Sequence, residues 1–163
     1  MTCTIISSGE ELNLVCKNEF EPPYPEIKAK LREKIWKLYC KGYNTFWVNG
    51  EYGVPLWCAE IVIALQIYND LYLNIAMPYE EQSTNWVEEH RDRFFAIHAD
   101  SDHVEIISNR YTKNCYGLAD EHMIDDSELL LVVGSNIDKC YGARYAKSHS
   151  VKIDSLDVLN GNS

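Results

Sequence analysis

The chain has 163 residues, of which 46% are hydrophobic and 25% charged, and a formal net charge of −10 at pH 7. This length fits one domain with a substantial core, and the composition is that of a globular protein rather than a disordered one. The negative charge argues against nucleic acid as a partner, because nucleic-acid-binding domains present a basic face, whereas a small anion responds to local donors.

Local patterns argue against several other classes of protein. No apolar window has the length of a membrane span and no signal pattern opens the chain, so we predict a cytoplasmic protein without a membrane partner. The six cysteines form no CxxC pair, which favours reduced thiols over a disulfide framework. The histidines lack metal-binding spacing and the acidic residues of 120–128 lack a ligand-loop pattern, so we predict neither a metal site nor a cofactor.

The first half of the chain alternates short β-favouring runs with apolar helical patterns. Strands are predicted over 3–7, 45–48 and 72–77. A helix begins near Pro25, carries apolar residues at spacings of three and four, and ends at Gly42; a second runs from Val54 to about Asn69.

The second half continues the alternation. Helices are predicted over 86–99, within 113–126 and over 143–147, and strands over 104–108, 129–133 and 151–153. We predict one domain over residues 1–159 and a frayed tail over 160–163.

The regular alternation and the continuously apolar central strands predict an α/β fold: a three-layer, Rossmann-like sandwich with a mostly parallel sheet. Ligands of such sheets bind outside the carboxyl ends of the strands. Four segments are expected to meet at that edge, namely 7–9, 49–53, 78–86 and 134–144.

The strongest local signal is the strand Thr45–Val48, followed by Gly50 and Gly53 and then by an apolar helix. A strand, a glycine turn and a helix start form a phosphate-binding arrangement in many α/β proteins, because the backbone N–H groups point at the anion. The alternative is that the two glycines only permit a tight turn.

Two motifs resemble a known family. The run Gly50-Glu-Tyr-Gly-Val-Pro-Leu-Trp-Cys-Ala-Glu60 is similar to the glycine-rich helix entry of the YpsA-like branch of the SLOG superfamily, and Met77-Pro-Tyr-Glu-Glu-Gln-Ser-Thr-Asn-Trp86 follows at a family-like separation. The similarity covers residues from about 4 to 159. It implies a Rossmann-like domain that binds nucleotides or nucleotide-derived ligands, in a superfamily that also contains the LOG phosphoribohydrolases and nucleotide sensors.

The chain departs from the family after the first strand and near its end. Ser7-Ser8-Gly9-Glu10-Glu11 stands where the family has a Thr-Gly turn followed by a basic residue, so a cation that could neutralise phosphate is missing there. Arg144 is our candidate for its replacement, since a guanidinium suits a bidentate phosphate contact. The last helix is also shorter than in the family.

Glu60 is predicted to accept hydrogen bonds from ribose hydroxyls, or to be catalytic if the protein is an enzyme; a solvated helix glutamate is the alternative. Gln82, Asn85 and Trp86 are predicted to contact the base, with a helix cap and core packing as the alternative. The full set of predicted ligand-binding residues is Ser7, Ser8, Asn49, Gly50, Gly53, Glu60, Gln82, Asn85, Trp86, Gly134, Ser135, Gly142 and Arg144.

Three functions are consistent with these patterns. The first is capture of a nucleotide or nucleotide-derived signal by a sensor or a sequestering protein; in a phage, neutralising a defence-signalling nucleotide would be its specific form. The second is a phosphoribohydrolase-type N-glycosidase, which the incomplete glycine motif makes the weaker reading. The third is a protein-interaction subunit with a vestigial pocket. Under each, we expect a homodimer or higher homo-oligomer.

Overall fold

A computed structural model of the chain describes residues 1–8 and 18–159, in which strands and helices alternate. The strands are β1 (Thr2–Ser7), β2 (Thr45–Val48), β3 (Tyr72–Met77), β4 (His103–Ile106), β5 (Leu129–Val133) and β6 (Lys152–Leu156). The helices are α1 (Tyr24–Cys40), α2 (Val54–Gln66), α3 (Glu88–Asp100), α4 (Cys115–Asp125) and α5 (Tyr141–Ser148), with a short 3-10 helix at Ile137–Lys139. The predicted turn at Gly9–Glu11 and the predicted tail over 160–163 lie outside the described residues.

The strands form one six-stranded sheet in the order β4-β3-β2-β1-β5-β6, and every pairing in it is parallel. From β1 the chain builds outward through β2 and β3 to β4, and then crosses to the other side of β1 to form β5 and β6. This reversal beside β1 is where doubly wound sheets open a crevice for ligands. The predicted α/β sandwich is confirmed, and the described sheet is wholly rather than mostly parallel.

Two apolar cores lie on opposite faces of the sheet, because successive side chains of a strand point to opposite sides. Cys3 and Ile5 of β1 pack into the larger core with α1, α2 and α3, whereas Ile6 packs into the smaller core with α4 and α5. Helices α1, α2 and α3 therefore cover one face of the sheet, and α4 and α5 cover the other. This arrangement gives the three layers.

The structure corrects several predicted boundaries. The helix predicted to begin at Trp86 begins at Glu88, because turns occupy the preceding loop and the Trp86 N–H bonds the Ser83 carbonyl. The second helix ends at Gln66 rather than Asn69, whose side-chain amide instead donates to the Leu65 carbonyl. The last helix and strand are longer than predicted, and the 3-10 helix after β5 was not predicted.

Within the described part of the chain, no helix combines the length and apolar character that a membrane crossing requires. The five cysteines in that part are free thiols, and three of them, Cys3, Cys58 and Cys115, are buried.

Candidate functional site

A cavity of about 210 Å³ opens at the carboxyl edge of the sheet, beyond the ends of β1 and β2. Its walls come from both helical layers, because the start of α2 approaches from one face and α4 from the other. The residues that line it are Ile6, Ser7, Asn49, Glu51, Tyr52, Gly53, Val54, Pro55, Tyr116 and Asp120.

The turn between β2 and α2 forms one wall of this cavity. The Asn49 Oδ1 atom accepts the Glu51 N–H at 3.0 Å, which closes the turn. Gly53 precedes the helix with φ +103°, a conformation that side-chain-bearing residues rarely adopt, and no atom lies within 4 Å of the place a Cβ would occupy. The backbone at the start of α2 is therefore open to the cavity, and the positive end of the helix dipole faces it.

Glu51 is held by two donors. Its Oε2 atom accepts the Tyr116 hydroxyl at 2.5 Å and the Gln82 side-chain amide at 2.9 Å. Gln82, only 3% exposed, also donates to the Asn49 carbonyl at 3.2 Å, and its Oε1 atom has no partner among the described residues. Burial and the hydrogen bond to Glu51 hold the pKa of Tyr116 far above its usual value, so the phenol remains a donor to the carboxylate.

Asp120 lies one helical turn after Tyr116 on α4 and also lines the cavity. Its carboxylate makes no hydrogen bond to any described residue. Burial, and secondarily the charge of Glu121, raises the pKa of Asp120 to about 7. Across the described residues the cavity is lined by two carboxylates and by no lysine or arginine.

Four of the predicted site residues lie at or beside the cavity. Ser7, Asn49 and Gly53 line it, and Gln82 braces it from behind through its bonds to Asn49 and Glu51. This brace joins the two family-like motifs, since Gln82 belongs to the second motif and Glu51 to the first.

Ser8 and Gly134 lie where β1 and β5 end. The Ser8 N–H donates to the Val133 carbonyl at 2.8 Å, and a Cβ on Gly134 would lie 2.1 Å from the Ser8 hydroxyl oxygen. With φ +123° at Gly134, glycine here permits a close approach of the two strand ends. Ser135 follows as a half-buried residue of the loop after β5.

Four other predicted residues do not line the cavity. A Cβ on Gly50 would point at Ile75 and His98 at 3.4 Å, and Gly142 lies inside α5, where a Cβ would meet Ile6 Cδ1 at 2.5 Å. Both glycines therefore allow close packing. Trp86 packs edge-on against Phe94 at 5.2 Å between ring centroids, and Asn85 is exposed.

Glu60 and Arg144 also lie away from this cavity, in contacts of their own. The Glu60 carboxylate binds Arg93 of α3 through two hydrogen bonds, at 2.5 and 3.1 Å, and borders a separate cavity of about 390 Å³ among α1, α2 and α3. The exposed Arg144 donates to the Lys139 carbonyl at 2.8 Å on its own loop.

Sequence reasoning missed Glu51, Tyr116 and Asp120 as site residues. Glu51 stands inside the glycine motif, where its place directly after β2 was a usable signal. Tyr116 and Asp120 carried none, because their approach depends on how α4 packs across the sheet. These two residues also line a third cavity, of about 570 Å³, which continues along α4 toward Lys113 and Tyr141.

Comparisons with known proteins agree with the resemblance in the sequence. The family model of YpsA, described as the YspA SLOG family, matches residues 8–152. UPF0398 proteins of Bacillus cereus (strain B4264) and Bacillus thuringiensis (strain Al Hakam) are each 33% identical over 122 residues, which cover 73% of this chain and 66% of each relative. A UPF0398 protein of Bacillus cereus (strain G9842) is 34% identical over 110 residues, or 66% of this chain and 60% of the relative. The chain thus spans 60–66% of the length of these relatives.

Proposed function

The chain belongs to the YpsA family of SLOG proteins, and from this premise we propose that it binds a nucleotide or nucleotide-derived signalling ligand. The proposed site is the cavity beyond β1 and β2. Family membership supports a nucleotide-related, Rossmann-like domain. The ligand, and the role as a sensor or as a sequestering protein, are proposed beyond that membership.

The observation that carries the proposal is the position of the cavity. It lies beside the topological reversal of the sheet and is bordered by the open start of α2 at Gly53 and Val54. Pro55 has no N–H and the Leu56 N–H donates to the Glu51 carbonyl, so a phosphate there would accept the N–H groups of Gly53 and Val54 and meet the positive end of the helix dipole, without requiring a lysine or arginine. Ser7 and Asn49 add polar side chains at the same edge.

A thermal-shift screen tests this function directly. The purified protein is heated with mononucleotides, dinucleotides, ADP-ribose forms and cyclic signalling nucleotides, and any stabilising compound is recovered after heat release and identified by mass spectrometry. A ligand present at about 100 times its Kd adds about 2.7 kcal/mol to the free energy of unfolding, a readily measured shift. An intact ligand supports capture or sensing, whereas a cleaved one indicates the N-glycosidase.

The variant Gly53→Asp tests whether a stabilising ligand binds at the proposed site. Its Cβ has space although the φ of +103° strains any side-chain-bearing residue, and its carboxylate would repel a phosphate at the start of α2, so the shift should be lost. Gly42→Asp is the matched control, because Gly42 has a similar φ of +99° and lies before β2, at the opposite edge of the sheet. Absence of any stabilising compound, or equal shifts in both variants, would reject this pocket and favour a protein-interaction role.

A further inference from the structure

Glu51 and Asp120 provide carboxylate oxygens that line the cavity and can accept further hydrogen bonds. Glu51 Oε2 is occupied by Tyr116 and Gln82, while Oε1 has no hydrogen-bond donor among the described residues. The same holds for both oxygens of Asp120. These carboxylates are half-buried and keep acceptor atoms that a hydroxyl or amide donor of a ligand can use.

The two carboxylates come from different walls of the cavity, Glu51 from the turn between β2 and α2 and Asp120 from α4. Tyr116 and Asp120 are four residues apart and so share one face of α4, and the Tyr116 hydroxyl reaches across to Glu51. Glu51 lies in the turn after β2, which ends at Val48, and dinucleotide-binding folds likewise use an acidic side chain to accept ribose hydroxyls, although at a different distance from the glycine motif. The cavity is therefore lined by one carboxylate from the turn between β2 and α2 and by a second from α4.

The chemistry of the walls limits what can occupy them. A phosphate beside Glu51 and Asp120 would meet like charge, so the start of α2, at Gly53, is the more favourable place for it. The described residues contain no group of three or more histidine, cysteine or acidic side chains that could hold a metal ion. A group with two adjacent neutral donors offers one donor to each carboxylate, and the vicinal hydroxyls of a ribose have that form.

We propose that Glu51 and Asp120 recognise the 2′- and 3′-hydroxyls of a ribose, so that the site selects ribonucleotide over deoxyribonucleotide ligands. This inference rests on the proposed function and deepens it, because it names the sugar of the ligand and two specificity-determining residues. Tyr116 is a positioning residue that holds Glu51 in place.

The experiment compares matched ligands that differ by one hydroxyl. Dissociation constants are measured by titration calorimetry for AMP, GMP, CMP and UMP and for their 2′-deoxy counterparts. Loss of a hydroxyl that donates to a carboxylate should weaken binding by about tenfold or more. Asp120→Asn should reduce this ratio to about threefold or less, mainly by weakening the ribonucleotide.

Asp125→Asn is the matched control, because Asp125 lies on the same helix but bonds Tyr145 at 2.8 Å outside the cavity. It should retain the wild-type ratio. Glu51→Gln provides a second test of the ratio in case Asp120→Asn does not fold. Both variants are first checked for a cooperative thermal transition.

The outcomes separate the two proposals. A ribose preference that is lost in Asp120→Asn or Glu51→Gln supports both. Equal affinity for each ribo and deoxy pair overturns the ribose inference and leaves nucleotide binding standing. A preference that survives in both variants also overturns it, since other groups then read the sugar. If none of these compounds binds, mononucleotide binding and the inference both fail.

Discussion

Ionised Asp120 is destabilising in the folded protein, so removing its charge should increase the free energy of unfolding. Burial and then Glu121 raise its pKa to about 7, from 3.8. Between these values the unfolded chain is ionised and the folded chain is protonated, so ionisation favours unfolding as the pH rises, and the full penalty applies above pH 7. Asp120→Asn should therefore raise the free energy of unfolding by about 1–3 kcal/mol at pH 8 and by little at pH 4.

Urea unfolding at both pH values measures this effect. The other titratable groups facing Asp120 are Glu121 on α4, Cys140 and Tyr141 at the start of α5, and Glu51 and Tyr116 in the cavity wall. Asp125→Asn should show no comparable gain. A loss of stability in Asp120→Asn would mean that the carboxylate has a stabilising partner within the folded protein and would count against a role in ligand binding.

At the scale of elements, Arg93 joins three parts of the larger helical layer. It bonds Glu60 of α2 and also Glu19, whose side chain is only 7% exposed and which accepts Trp57 Nε1 at 2.7 Å and pairs with Lys28 at 3.1 Å. Removing Arg93 leaves a buried carboxylate with Lys28 as its remaining ionic partner among the described residues. Arg93→Met should destabilise the protein by about 2–4 kcal/mol.

Glu60→Gln is the control for Arg93→Met, because it removes the charge of the more exposed partner of Arg93 and leaves the bond between Arg93 and Glu19 in place. The Glu60 side chain is 37% exposed, so its loss should cost about 1 kcal/mol or less, measured by the same urea titration. Equal costs for the two variants would show that Glu19 does not depend on Arg93. Ligand stabilisation found in the screen should persist in Glu60→Gln, because Glu60 lies outside the lining of the proposed site.

At the scale of the whole molecule, the two apolar cores lie on opposite faces of one parallel sheet and share its strands. Trp57 lies in the larger core and Trp47 in the smaller one. The predicted single domain over residues 1–159 should therefore unfold in one cooperative step. Far-UV circular dichroism and the fluorescence of two variants, one that keeps only Trp47 and one that keeps only Trp57 of the four tryptophans, should give coincident transitions, whereas separated midpoints would indicate two units. The expected homo-oligomer stays a prediction for sedimentation analysis.

The elements were predictable because their signals are local. The buried strand Leu129–Val133 and the helical spacing of apolar residues in α1 are readable from a few neighbouring positions, and both were located correctly. Helix starts were less predictable: α3 begins two residues later than expected, since hydrogen-bonded turns before it compete with the helix for the same backbone groups. The 3-10 helix after β5 has no apolar period that would reveal it.

By itself, the sequence determined the α/β class, the edge of the sheet at which the candidate cavity lies, and the family, because strand and helix periodicity and two contiguous motifs carry this information. Only the tertiary structure decided which side chains meet at that edge. Glu60 is turned to Arg93, 33 residues further along the chain, while Glu51 meets Tyr116, 65 residues away. The physical reason is that such partners depend on how α3 and α4 pack across the sheet, and no local pattern encodes that packing.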